Sequence, residues 1–141
     1  QAGLVCGQLL NNDDREIVGI SIARKNPRGR NIILDSVREY CEENDVYIAE
    51  SDIQKSTVFI DDYVGEGYGK DNGEIIKTIS DVIKQYGIPM DSTYTGKAFY
   101  GMKEYLKKQN ISGKNILFIH TGGTPLFFDD LRKTDNEHIN S

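Results

Sequence analysis

Ala2-Gly3-Leu4-Val5-Cys6-Gly7-Gln8-Leu9-Leu10, then Asn11-Asn12-Asp13-Asp14, then Glu16-Ile17-Val18-Gly19-Ile20-Ser21-Ile22: these three consecutive stretches decide the fold class. The first is apolar on nearly every side, as a helix buried in an α/β core is. The second has turn chemistry, and the third, rich in β-branched residues, reads as a mostly buried strand. Helix, turn, strand is the rhythm of parallel α/β architecture. The helix opens without a capping side chain, so partners for its first amide groups are expected upstream of Gln1 or in a ligand.

Downstream the rhythm continues. Past a loop around Pro27 and Gly29, the apolar residues Ile33, Leu34, Val37, Tyr40 and Cys41 recur at three and four residues, which predicts an amphipathic helix to about Asn44. Val58-Phe59-Ile60 is a short apolar run before the glycine-rich stretch Asp62-Tyr63-Val64-Gly65-Glu66-Gly67-Tyr68-Gly69, which reads as an extended loop. From Asn72 the stripe Ile75, Ile76, Ile79, Val82, Ile83 and Tyr86 predicts a second covering helix, stopped by Gly87 and Pro89. Asp91-Ser92-Thr93-Tyr94-Thr95-Gly96-Lys97-Ala98 is a polar turn leading into a helix with Phe99, Met102, Tyr105 and Leu106 on its apolar face. Asn115 to His120 reads as a central, parallel strand ending at Thr121-Gly122-Gly123, where a ligand crevice is expected. Too few strands are present for an independent doubly wound domain, so further sheet is expected outside the chain.

The 141 residues are 38% hydrophobic and 28% charged, an ordinary globular composition, with a formal net charge of -5. No basic stripe interleaved with aromatics is present, which argues against nucleic acid, and the local cluster Arg24 to Arg30 reads as a solvated loop. No apolar run approaches the roughly 20 residues that span a bilayer, so neither a membrane nor a leader is expected. Cys6 and Cys41 have no metal-ligand or C-x-x-C spacing; reduced thiols in a cytoplasm and no metal site are the expectation. Gly65, Gly67 and Gly69 imitate part of a dinucleotide fingerprint without its flanking strand and helix.

Three of these stretches, Asp62 to Gly69, Tyr94-Thr95-Gly96-Lys97-Ala98 and Leu117-Phe118-Ile119-His120-Thr121-Gly122-Gly123, resemble in order and separation the second half of D-cysteine desulfhydrases and 1-aminocyclopropane-1-carboxylate deaminases. The opening Gln1-Ala2-Gly3-Leu4 resembles them too, so the likeness runs from residue 1 to about 128. It implies an α/β three-layer sandwich with a mostly parallel sheet, the partial large domain of a pyridoxal 5'-phosphate (PLP) enzyme of fold type II, tryptophan synthase beta-like. Residues 1–134 are expected to belong to that domain and 135–141 to form a polar tail.

The resemblance further implies that the phosphate-cradling loop and the lysine that holds the cofactor lie upstream of Gln1, so that this chain alone is inactive. Lys97 is not that lysine; a lysine in a first helical turn is more often a surface residue or, by the resemblance, one beside the cofactor ring. Thr95, Thr121, Gly122 and Gln1 are the implied cofactor-binding residues, and Tyr94 and Tyr68 the implied catalytic ones, suited to orienting substrate or moving a proton. Read without the resemblance, Tyr68 and Tyr94 are half-buried packing residues, Thr95 is a helix N-cap and His120 is a strand-end histidine satisfied by backbone.

Deaminases of the family carry Glu and Leu at the positions matching Thr95 and Thr121, whereas desulfhydrase-like members carry Thr at both. A carboxylate facing the pyridine nitrogen keeps it protonated and a hydroxyl leaves it largely neutral, so the facing residue tunes the reaction. The implied reaction is α,β-elimination of a small β-substituted amino acid to pyruvate, ammonia and sulfide. Cyclopropane-ring deamination is the alternative, and a non-catalytic scaffold that pairs with itself or with a missing N-terminal part is the rival from another class. An incomplete sheet exposes apolar faces and strand edges, so a homodimer or association with the missing part is expected.

Overall fold

A computed structural model describes residues 1–64 and 73–130. The glycine-rich loop from Gly65 to Gly69, with Tyr68, and the polar tail lie outside the described residues. The chain divides into two compact units, Gln1–Asp62 and Tyr63–Ser141.

The first unit runs α1 (Ala2–Leu10), β1 (Val18–Ile20), α2 (Arg28–Glu43), α3 (Glu50–Ser56) and β2 (Val58–Ile60). The two strands are parallel, with Val18 opposite Val58, Gly19 opposite Phe59 and Ile20 opposite Ile60, and the Ser21 amide extends the ladder to the Ile60 carbonyl at 2.8 Å. Parallel strands need a long crossover, which α2 and α3 supply. The core of this unit is Val5, Cys6, Leu34, Val37 and Ile53, where α1 packs on α2 and α3. The fold is α/β with a parallel sheet, as the sequence implies.

Several sequence expectations need correction in this unit. The first helix is covered on one face only: Val5 and Cys6 are buried, while Leu4 and Leu10 are exposed. Helix α2 starts at Arg28, so Gly29 is helical rather than looped, and a Cβ there would collide with the Phe59 ring of β2. Arg30 is no solvated loop residue either. Its guanidinium donates to the Thr57 carbonyl (3.1 Å), the Gln54 carbonyl (2.6 Å) and Gln54 Oε1 (2.8 Å), tying α2 to the end of α3. Helix α3 escaped the sequence reading because a seven-residue helix with one buried apolar residue, Ile53, shows no periodicity. Both cysteines are free thiols, and burial pushes the Cys6 thiol up, with Cys41 adding to the effect.

The second unit contains α4 (Gly73–Tyr86), α5 (Thr95–Lys108) and a helical stretch at 124–130. Ile75, Ile79 and Val82 of α4 form its core with Met90 and Phe127, and Phe99 meets Phe118 edge to face at 5.1 Å. Gly87, at φ +69°, ends α4, as the sequence predicts. The segment expected to be a central strand is not one. Residues 115–120 pair with no strand among the described residues, and Ile116 (48%), Leu117 (83%) and Ile119 (50%) are exposed. A parallel strand exists only by hydrogen bonding to a neighbour, and among the described residues none is in place beside this run.

Candidate functional site

The polar turn before α5 is organised by one carboxylate. Asp91 is fully buried. Its Oδ2 accepts the amides of Thr93 (3.0 Å) and Tyr94 (2.6 Å); its Oδ1 accepts the amide of Thr95 (2.9 Å) and the Thr95 hydroxyl (2.7 Å). Four hydrogen bonds are what permit a carboxylate to sit out of water. An aspartate bonding to amides two to four residues on is Asx-type chemistry, and here it also satisfies amides at the start of a helix. The N-cap position of α5 is Tyr94, which makes no side-chain cap. Thr95 is therefore not the N-cap: it is the first helical residue, turned back onto Asp91.

Gly96 has no room for a side chain, because a Cβ would lie 2.6 Å from both the Asp91 carbonyl oxygen and the Ile79 side chain. That absence lets the turn settle on α4. Lys97, the next residue, is 1% exposed and donates from Nζ to the Val64 carbonyl at 3.3 Å. It is thus a buried residue rather than a surface lysine. Tyr94 is partly exposed at the head of the helix. Further along α5, burial pushes the Tyr100 phenol up, with the charges of Glu104 and Glu74 acting in the same direction.

The loop after residues 115–120 meets this turn at two points. Gly123, at φ +89°, presses its backbone on Asp91, and a Cβ would collide with the carboxylate. The His120 ring bridges the other side: its Nδ1 accepts the Gly122 amide at 3.3 Å, which leaves Nε2 as the donor to the Pro89 carbonyl at 2.9 Å. His120 is satisfied by backbone, as its plain sequence reading has it, although not at a strand end. From the helical stretch 124–130, Asp130 Oδ2 accepts the Ser92 amide at 3.0 Å.

Thr95 bonds to Asp91, and the Gly123 backbone that presses on Asp91 follows Thr121 and Gly122 directly in the chain. Thr95 is 2% exposed and offers a ligand little surface, whereas Thr121 is exposed and its hydroxyl makes no hydrogen bond among the described residues. The Gly122 amide is engaged by His120. Gln1 belongs to the first unit, where its side-chain amide donates to the Val58 carbonyl at 2.5 Å and its side chain fills the space over Gly19. A groove of about 540 Å³ lies elsewhere in the second unit, lined by Asp81, Lys84, Tyr86, Phe99 and Lys103 among others, and includes none of these residues. Asp91 and Gly123 are the residues that sequence reasoning missed. The signal was there, in an aspartate followed by Ser, Thr, Tyr and Thr, but its reach to a glycine 32 positions on was not.

Among the described residues no group of three or more His, Cys, Asp or Glu is placed to hold a metal ion, and no helix is long and apolar enough to cross a membrane. The architecture is that of an α/β protein with a parallel sheet. No family model matches the chain. Over 127 residues, 90% of its length, it is 33% identical to a Pyrococcus abyssi protein named "Putative 1-aminocyclopropane-1-carboxylate deaminase", of which it covers 37%. It is 34% identical over 130 residues to the D-cysteine desulfhydrase of Yersinia enterocolitica, covering 90% of this chain and 38% of that protein. A solved structure described as an ACC deaminase homologue superposes with a TM-score of 0.78 at 32% identity, over 94% of this chain and 39% of the other. The chain belongs to the family of D-cysteine desulfhydrases and 1-aminocyclopropane-1-carboxylate deaminases, and spans somewhat over a third of the length of these relatives.

Proposed function

We propose that this chain forms part of a PLP-dependent lyase that carries out α,β-elimination on a small β-substituted amino acid, D-cysteine or a close analogue, releasing pyruvate, ammonia and sulfide. The observation that carries the proposal is the Asp91 carboxylate, which joins the turn bearing Tyr94 and Thr95 to the loop bearing Thr121 and Gly122. Two motifs with 18 residues between them in sequence would then serve one place, as the wall of a cofactor site requires.

The residues fit the cofactor in kind. The exposed Thr121 hydroxyl offers a polar contact, the buried Thr95 hydroxyl keeps one lone pair outside its bonds to Asp91, and the left-handed Gly122 and Gly123 keep the loop free of bulk. When bound, PLP supplies the electron sink that lets a Cα proton and then a β-substituent leave. The chain's part is to orient the ring through Thr95 and Thr121, and to hold or move a proton near the substrate with the Tyr94 phenol. Gly122, with its amide engaged, lines the site rather than donating to it.

Deamination of 1-aminocyclopropane-1-carboxylate is the second reading, favoured by the name of the Pyrococcus abyssi relative. The gene product at full length, loaded with PLP, separates the two. Pyruvate and sulfide from D-cysteine support the proposal, and ketobutyrate from the cyclopropane substrate without sulfide release from D-cysteine replaces it with the second reading.

A further inference from the structure

We propose that His120 is a proton-sensitive latch: the neutral ring holds the Gly122 amide, and a second proton on the ring releases that amide while the ring stays fastened to the turn at Pro89. The two ring nitrogens have different duties. Nδ1 accepts the Gly122 amide at 3.3 Å, and Nε2 lies 2.9 Å from the Pro89 carbonyl oxygen. A carbonyl only accepts, so the one proton of the neutral imidazole sits on Nε2 and the lone pair on Nδ1. The imidazolium carries a proton on both nitrogens. Its bond to Pro89 persists and gains from the charge, whereas its bond to Gly122 is lost, because two N–H groups then face each other.

The surroundings allow this movement and confine it. His120 is exposed, so a proton reaches the ring from solvent without any opening of the fold. Gly122, at φ +115° with nothing within 4 Å of where a Cβ would stand, has room to turn its peptide away. Gly123 does not follow, because its backbone is pressed on the buried Asp91. Thr121, between the two bonded residues, turns with Gly122. The charged groups on the neighbouring elements are Asp91 in the turn, Asp129 and Asp130 in the helical stretch 124–130, and Lys114 ahead of the run that ends in His120. Asp91 is taken up by the amides of Thr93, Tyr94 and Thr95, and Asp130 accepts the Ser92 amide. Among the described residues none of these groups forms an ion pair with the ring. The latch therefore answers to the two nitrogens of His120 alone. It is a property of the second unit and holds whichever reaction the protein at full length performs.

Proton–nitrogen NMR of the ¹⁵N-labelled chain over a pH titration tests the latch. At the upper end the His120 nitrogens show the Nε2–H tautomer. On acidification the Gly122 amide proton shifts upfield in step with protonation of the His120 ring, while the Thr95 amide, held by Asp91, does not follow the ring. Two substitutions divide the duties of the ring, and both change an exposed residue, so the fold is expected to survive them. Asparagine sets a carbonyl oxygen where Nδ1 stands and takes up no proton; in His120→Asn the Gly122 amide keeps the parent's high-pH position throughout the titration. Glutamine reaches toward Pro89 as Nε2 does and offers Gly122 no acceptor in the place of Nδ1; in His120→Gln the Gly122 amide resonates at the released position at every pH. An Nδ1–H tautomer in the parent chain, a Gly122 amide that does not follow the ring, or one that still titrates in His120→Asn overturns the inference.

Discussion

Gly123→Ala, measured beside Gly122→Ala, isolates the contact on which the candidate site depends. Both glycines have left-handed backbones, at φ +89° and +115°, so an alanine at either position carries strain of about 1–3 kcal/mol. The two differ in what a Cβ meets. At Gly122 there is nothing within 4 Å, whereas at Gly123 it collides with the Asp91 carboxylate. Asp91 has no slack, because four hydrogen bonds hold it, and displacing it weakens at least one hydrogen bond to a charged group, worth roughly 1.5–3 kcal/mol. Gly123→Ala is therefore expected to be about 1.5–3 kcal/mol less stable than Gly122→Ala. Urea titration followed by circular dichroism reads the difference, and the amide resonances of Thr93, Tyr94 and Thr95 move in Gly123→Ala alone. Equal stabilities of the two variants would refute the claim that Asp91 joins the turn to the loop.

Other outcomes follow from burial and charge. Val37→Ala removes two methyl groups from a fully buried site in the first unit and is expected to cost about 2 kcal/mol, whereas Leu117→Ala, at 83% exposure, changes stability by less than about 0.5 kcal/mol; urea midpoints compare them. The Arg38 guanidinium, by its hydrogen bonds, and then Gln54 hold the Glu50 carboxyl down at about 2, below the ordinary 4.5. The folded state thus gives up this charge later than the unfolded state, so its contribution is present above pH 4.5 and is lost as the pH falls toward 2. Glu50→Gln should flatten that part of the stability profile, and an unchanged acid limb would count against the pair. Exposed Ile116, Leu117, Ile119 and Phe128 lead us to expect self-association, read by light scattering, with a strict monomer as the contrary result.

Local chemistry and periodicity made much of the chain legible. The stripes of α2 and α4, the stop at Gly87 and the turn before α5 are written in residues close together in sequence, where propensity and side-chain spacing act without help from the rest of the molecule. Apolar runs are different. Val58–Ile60 became a strand and residues 115–120 did not, although the second run is the longer, because a strand is made by its neighbour and hydrogen bonding across a sheet leaves no local mark. Tertiary structure alone revealed that Gly29 makes room for Phe59, that Lys97 is buried, and that Gln1 fastens α1 to β2.

The candidate site divides in the same way. Its hydroxyls, its glycines and Tyr94 are residue types readable from two short motifs, which are among the stretches that carried the family likeness. Only packing decided that a buried aspartate turns the Thr95 proton inward and that His120 and Gly123 bring the second motif to the first. Side-chain chemistry belongs to each residue, but the direction of a hydroxyl is set by which partner lies within reach, and reach across 32 positions exists only once the chain is folded.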